Sequence, residues 1–369
     1  MHGPLSYCHV ALYRAYLDAR RKKRMTNSQL RFEIDAESRL EQLSEELERQ
    51  TWVPSPCIRF IVRYPIRREV FASEFRDRVV HHLYFNAVAP IVEKRLISDS
   101  YSCRKGKGTL YGVERLEHHL RSCSHNYQRD CWVLKLDIQG YFMSIPRERL
   151  RMMVRDILLK AREDSLPLKR DLLLYLTDVI TMHDPMEGCK RIGAESEWDD
   201  VPRSKCLSHS PKGVGLPIGD LTSQLFSNIY LNELDQYVKR ELKVKHYGRY
   251  VDDFFLISPD KNFLEECAGK IRLFLHTRLE LTLHPNKVHY YHAYNAKTKT
   301  GEGVPFLGAV VMPHYKHLSK RTTRKVLQLA KRIEQEGISE CWQTANSYLG
   351  QMRHYKAAKL SRKIETARG

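Results

Sequence analysis

Two adjacent aspartates, Asp252 and Asp253, stand in the stretch "RYVDDFFLIS" between apolar runs, in a chain whose formal charge is +18. Aspartate is a common turn former, so this segment alone reads equally as a plain turn and as a catalytic one. A second pair, Asp199 and Asp200 in "ESEWDDVPRS", lies among Ser, Glu and Pro and reads as solvated loop. The flanks of Asp252 and Asp253 are instead aromatic and β-branched with two residues between the runs, which is a hairpin pattern. Another aspartate, Asp137, ends the apolar run "CWVLKLD". Carboxylates gathered at one place repel unless a divalent cation neutralises them. Two Mg2+ ions about 4 Å apart activate an attacking hydroxyl, stabilise a leaving pyrophosphate and orient an in-line displacement. Within so basic a chain, the acidic bend reads as a metal site in a groove that holds nucleic acid.

The elements that must position these residues follow from hydrophobic spacing. Residues 5–24 and 36–50 read as helices, the second with a Leu40, Leu43, Leu47 stripe and Asp35 as N-cap. "CIRFIVRY" at 57–64 reads as a strand, followed by a long helix with Phe75, Val79, Leu83, Ala87 and Ile91 at helical spacing. A strand at 131–137 precedes helices near 146–160 and 168–182, a polar stretch from His183 to Gly215, and a helix from Leu221 to Leu242. The hairpin, a helix near 260–278 and short strands around 281–293 and 304–312 complete the order of a split β-α-β sheet of ferredoxin-like type. That topology sets the end of the first strand beside the tip of the central hairpin, so Asp137 and Asp252 are expected to meet.

Residues 313–369 carry 13 Lys or Arg against 4 Glu, half of the net charge, and "ARRKKR" at 19–24 is a second basic cluster. Both favour a polyanionic partner. Trp342, Tyr348 and Tyr355 in the tail face either bases or, more commonly for such residues, the core of a small helical unit. A chain of 369 residues with 42% hydrophobic content is long enough for two or three subdomains. No apolar run approaches the roughly 18 residues that span a bilayer, and "MHGPLSYCHV" lacks a signal-peptide layout, so no membrane partner and a cytoplasmic location are expected. Nine cysteines without a CxxC fit reduced thiols. Cys189, Cys206, His183 and His209 match no compact zinc spacing.

Taken in order, the motifs resemble the reverse transcriptases over nearly the whole chain. "LKLDIQGYFMSI" is similar to the first catalytic motif of the polymerase palm, "GLPIGDLTSQLFSNIYLNELD" to the nucleotide-binding loop and helix, and "YVDD" to the second catalytic motif. "LTLHPNKVHY" and "VPFLGAVV" resemble the two motifs that follow, the latter the primer grip. The resemblance implies an α+β right-hand polymerase with an N-terminal basic helical arm at 1–35 and fingers at 36–130. A ferredoxin-like palm at 131–312, with a fingers-side insertion at about 146–215, and a short basic helical thumb at 313–369 would complete it. It implies RNA-directed DNA polymerase activity, with dNTPs, an RNA template and a DNA or RNA primer as partners and two Mg2+ ions, with Mn2+ able to substitute.

Residue by residue, the resemblance makes Asp137 and Asp252 metal ligands, with Asp253 an adjacent carboxylate in the same metal and catalytic group and the Ile138 carbonyl a further metal contact. Phe142 falls where the family has its steric gate against a ribose 2′-OH, against a plain core role. In "YPIRREV", Arg68 and then Arg67 are the candidates for the triphosphate clamp; the planar guanidinium fork suits phosphate. Ile218, Gly219 and Gln224 belong to the nucleotide-binding loop, Phe306, Leu307 and Gly308 to the primer grip. Lys287 stands where a general acid for pyrophosphate release would stand, against a merely solvated lysine. "SCRKGKGT" at 102–109 is not a P-loop and reads as template contact or surface turn.

Many reverse transcriptases have Gln where this chain has Ile218, and Pro where it has Gln224. With "FMSI", "LPIG", "TSQ" and "NSYLGQMRH", those departures resemble the enzymes of diversity-generating retroelements, implying error-prone copying at template adenines, mutagenic retrohoming and a small basic accessory variability protein, typically a pentameric helical barrel. The alternatives are another bacterial reverse transcriptase, of retron, group II intron-like or phage-defence type, and a non-enzymatic RNA-binding scaffold.

Overall fold

The computed structural model describes residues 7–21, 26–63 and 66–367. Residues 22–24 of the basic cluster, and Tyr64 and Pro65 at the end of the expected first strand, lie outside the described residues. The chain divides into two units. One comprises Met1–Ile97, Ile138–Asp235 and Phe274–Thr282; the other comprises Ser98–Asp137, Gln236–Leu273 and Leu283–Gly369.

The chain begins in the first unit with helices α1 (Tyr7–Arg20), α2 (Asn27–Glu33) and α3 (Ala36–Glu48), strands β1 (Ile58–Val62) and β2 (Arg68–Ala72), and helix α4 (Phe75–Glu93). The expected stripe on α3 is buried at Leu40, Leu43 and Leu47, as are Phe75, Val79, Leu83 and Ala87 on α4. Asp35 occupies the N-cap position of α3, but its side chain makes no capping bond. Helix α5 (Thr109–Cys123) and strand β3 (Cys131–Asp137) follow in the second unit. The chain then returns to the first unit with α6 (Tyr141–Ser144), α7 (Arg147–Leu159), α8 (Arg170–Met182), β4 (Lys190–Arg191), α9 (Ser196–Asp199) and α10 (Leu221–Gln236). β4 pairs parallel with β1, which also pairs antiparallel with β2.

The remaining elements are β5 (His246–Tyr250), β6 (Asp253–Ser258), α11 (Lys261–Leu279), β7 (His289–Tyr294), β8 (Val304–Phe306), β9 (Ala309–Met312), β10 (Tyr315–Leu318), α12 (Lys320–Glu336), α13 (Trp342–Met352) and α14 (Ala358–Thr366). The second unit's main sheet runs β5-β6-β3-β7, all antiparallel, which is the strand order of a split β-α-β sheet. Its two central strands are apolar on both faces: Val133, Leu134 and Leu136 on β3 and Phe254, Phe255, Leu256 and Ile257 on β6 are all buried. Against one face lies a cluster with Val113, Leu116 and Leu120 of α5 and Val304, Phe306, Ala309 and Val311 of β8 and β9.

Helices α12, α13 and α14 enclose their own small core of Val326, Ile333, Ala345, Met352 and Ile364. Ser319 caps α12 by accepting a bond from the Thr322 N–H at 3.2 Å, and Gly337, at φ +82°, ends it. Tyr348 and Tyr355 pack against this core, whereas Trp342 is about half exposed.

Candidate active site

The acidic bend is a two-residue hairpin. Tyr250 pairs with Asp253 across β5 and β6, leaving Val251 and Asp252 as the turn. Val251 adopts φ +56°, a conformation that a β-branched residue rarely takes. Beneath it the fully buried Arg249 donates from Nη1 to the Val251 carbonyl at 3.0 Å and from Nη2 to Ser100 Oγ at 3.3 Å. A strained tip held by a buried guanidinium is typical of a functional constraint.

The neighbouring ladder carries the juxtaposition. β3 and β6 pair in a register that sets Asp137 directly opposite Asp253, with Asp252 preceding it in the turn. The ladder partner of Asp137 is thus Asp253, and Asp252, its expected neighbour, is the next residue, at the hairpin tip. Lys287 Nζ lies 2.9 Å from Asp137 Oδ1, and Lys135 Nζ lies 3.0 Å from Asp253 Oδ1 and 3.2 Å from Oδ2. Burial pushes the Asp253 carboxyl up from its usual range; Lys135 counters this, Asp137 adds to it and Lys287 opposes it.

Hard carboxylate oxygens are the donors that Mg2+ or Mn2+ takes. Asp137 and Asp253 share one face at the end of the ladder, and Asp252 precedes Asp253 at the hairpin tip. The donor chemistry therefore fits a divalent cation. Two lysine ammoniums neutralise the Asp137 and Asp253 carboxylates, and among the described residues no three Asp, Glu, His or Cys side chains converge as a metal cluster.

Phe306, Leu307 and Gly308 form the β8–β9 hairpin. Leu307 at φ +49° and Gly308 at φ +84° make the turn, with positive φ at both positions as a type I′ turn demands. The Gly308 carbonyl accepts from Ser319 N and Thr322 Oγ1, both at 2.9 Å, and Leu307 packs close over Gly112 of α5. Phe306 meets Phe255 edge-on at 5.3 Å between ring centroids. The 102–109 loop folds back on itself, with Arg104 Nη1 donating to the Ser100 carbonyl at 2.7 Å.

In the first unit a separate apolar cluster gathers other expected residues. Phe142 and Ile218, both half-buried, pack with Cys57, Phe71, Met143 and Leu207. Leu216 N donates to the Phe142 carbonyl and Phe71 N to the Ile218 carbonyl, both at 2.8 Å. Gly219 is at φ +143°, and a Cβ there would sit 1.9 Å from the Phe71 carbonyl oxygen. Only glycine lets the loop lie this close to β2. The same loop is held by Ser73 Oγ on Asp220 Oδ1 at 2.5 Å and by His81 Nδ1 near Thr222 Oγ1 at 2.8 Å. Sequence reasoning did not single out Ser73 or His81.

Arg68 opens β2 and is half-buried, with no ion pair found for it among the described residues. Arg67 is ion-paired with Asp200, one of the two aspartates read as solvated loop. Gln224 is exposed on the first turn of α10, and the Ile138 side chain is buried. Cys189 Sγ lies 3.0 Å from Cys57 Sγ, and Cys206 donates to Glu69 Oε2 at 3.3 Å. Lys135 is the residue of the acidic cluster that sequence reasoning missed. Its signal is a charged residue inside the apolar strand "CWVLKLD", two positions before Asp137 and therefore on the same face.

A sequence profile described as "Reverse transcriptase (RNA-dependent DNA polymerase)" matches residues 67–351. Protein YkfC of Escherichia coli (strain K12) is 25% identical over 242 residues, which span 56% of this chain and 56% of YkfC; the chain thus matches little more than half the length of that relative. Among solved structures, apo telomerase of Candida tropicalis truncated from its C-terminal domain is similar with a TM-score of 0.50 at 11% identity, over 76% of this chain and 60% of that one. That likeness is one of fold, the mixed α+β right-hand polymerase. No helix among the described residues is long and apolar enough to cross a membrane.

Proposed function

Because the chain belongs to the reverse transcriptase (RNA-dependent DNA polymerase) family, we propose that it extends a primer 3′-OH with dNTPs on an RNA template and releases pyrophosphate. The observation that carries this reading is the pairing of Asp137 with Asp253 at the end of the central strands, one residue from Asp252 in a strained turn. Asp137, Asp252 and the Ile138 carbonyl would hold two Mg2+ ions, or Mn2+ in their place, with Asp253 beside them. Bound there, such cations supply Lewis-acid activation of the primer hydroxyl and neutralise charge on the leaving pyrophosphate.

The chain's own residues do the rest. Arg68 clamps the triphosphate, with Arg67 able to join it by leaving an exposed ion pair worth little. The Phe142 ring fills the space that a 2′-OH would need and so selects dNTPs. Lys287, half exposed on Asp137, carries the proton for the departing pyrophosphate. The Phe306–Gly308 turn holds the primer terminus. The fingers, palm and thumb take the boundaries 36–130, 131–312 and 313–369, after the basic arm at 1–35.

The reading extends to the diversity-generating retroelement type, acting in the cytoplasm with a basic accessory protein and copying template adenines with errors. Its support is Ile218, an apolar side chain packed in one cluster with Phe142 where a hydrogen-bonding glutamine is common in the family. All nine cysteines are unbridged, as in a reducing compartment. Sequencing the cDNA that the purified protein makes from a defined RNA tests these statements together. The expected product is full-length DNA with substitutions concentrated opposite adenine. Accurate copying at adenine removes the retroelement assignment, and RNA binding without any cDNA leaves the RNA-binding scaffold.

A further inference from the structure

The functional reading gives Lys135 no role, yet its surroundings are built. Lys135 and Asp137 share one face of β3 with Asp253 and Phe255, their ladder partners on β6. The lysine side chain is only 16% exposed, its ammonium touches both oxygens of Asp253, and it lies 5.4 Å from the centroid of the Phe306 ring. Placing an ammonium inside an apolar central strand is costly unless its charge is compensated; here a carboxylate and an aromatic face do so. Lys287, by contrast, is 49% exposed on Asp137, so its own charge stays solvated when it leaves.

We propose that Lys135 is a positioning residue: its ammonium is the standing counter-ion of Asp253 and, through the Phe306 ring, fixes the acidic hairpin against the β8–β9 hairpin. The inference rests on the reading of Asp137 and Asp252 as the catalytic carboxylates. It separates the two aspartates of the hairpin, since Asp253 acts through Lys135 and leaves cation ligation to Asp137 and Asp252.

The test compares wild type with Lys135→Met, Lys135→Arg, Asp253→Asn, the Lys135→Met/Asp253→Asn double variant and Asp137→Asn. Two quantities are read: single-nucleotide extension on an RNA template with Mg2+, and the affinity for a labelled primer–template by fluorescence anisotropy in EDTA. Lys135→Met should lower kcat about tenfold or more while the dNTP KM stays within about twofold, and Lys135→Arg should recover most of the loss. The double variant should be no slower than Asp253→Asn alone, because each change removes the same contact. Metal-free primer–template affinity should fall about threefold in both Lys135→Met and Asp253→Asn, as the β8–β9 hairpin loses its anchor. A wild-type kcat in Lys135→Met, or losses that multiply in the double variant, overturns the inference. If Lys135→Met does not fold, the nearly isosteric Asp253→Asn carries the test, and wild-type metal-free affinity in it is the overturning result. An Asp137→Asn enzyme that still extends primers overturns the catalytic reading instead; an inactive Asp137→Asn beside a wild-type-like Lys135→Met overturns the inference alone.

Discussion

Phe142 can serve as packing or as a filter, and its setting allows both. Its ring is half-buried in the cluster with Ile218 and meets Tyr141 edge-on at 5.4 Å, which leaves part of the ring exposed. On the proposed role, replacing it by alanine opens space for a 2′-OH, so incorporation of rNTPs relative to dNTPs should rise about tenfold, equivalent to about 1.4 kcal/mol of lost discrimination. Competition assays with the two nucleotide types measure this. An unchanged ratio together with a lower melting temperature would reduce Phe142 to packing. The aspartates were legible in the sequence because acidic residues between apolar runs contrast with their flanks. Lys135 was not, because one lysine among 62 basic residues carries no such contrast until a strand face is assigned.

At the scale of elements, β5 and α5 are joined by a buried polar network. Arg115 holds Asp99 through two bonds at 2.7 and 3.1 Å, and His119 Nε2 lies 3.2 Å from the same carboxylate. Burial alone would raise the Asp99 carboxyl, but the bonds from His119 and Arg115 hold it well below the usual range. His246 Nδ1 is 3.2 Å from His119 Nδ1, and burial, followed by the charges of His119 and Lys245, pushes His246 down to about 4. In the unfolded chain this imidazole protonates near 6.5, so between about pH 6.5 and 4 the unfolded state binds more protons. Stability should therefore fall as pH drops through that window, His246 contributing up to about 3 kcal/mol. Thermal melts of wild type and His246→Gln across that range check it; parallel curves would refute the assignment.

The ladder order was legible at this scale because short apolar runs and the two-residue turn define it. Its register was not, because runs that are apolar on both faces do not fix which residues pair; the ladder sets Asp137 opposite Asp253. Helix α5 went unanticipated because its start lies in a Gly- and Lys-rich loop, and the strand expected from 281 begins only at His289, after Pro285 and Asn286.

For the whole molecule, charge dominates. On α12, Lys320, Arg321, Arg324, Lys331 and Arg332 are exposed while Val326, Leu329 and Ile333 face the helical core. If roughly six phosphates are neutralised, RNA affinity should fall about 10³-fold or more between 50 and 200 mM salt. A flat response in a filter-binding titration would mean that the charge serves another partner. Binding and chemistry separate at Asp137 and Asp252, since phosphate contacts position nucleic acid and neither of these carboxylates supplies one. The most direct measurement is single-turnover primer extension on an RNA template with Mg2+, comparing wild type with Asp137→Asn and Asp252→Asn at matched RNA occupancy. The expected result is DNA synthesis by the wild type and none by either variant, with RNA affinity roughly intact in both; extension that persists in either variant contradicts the account.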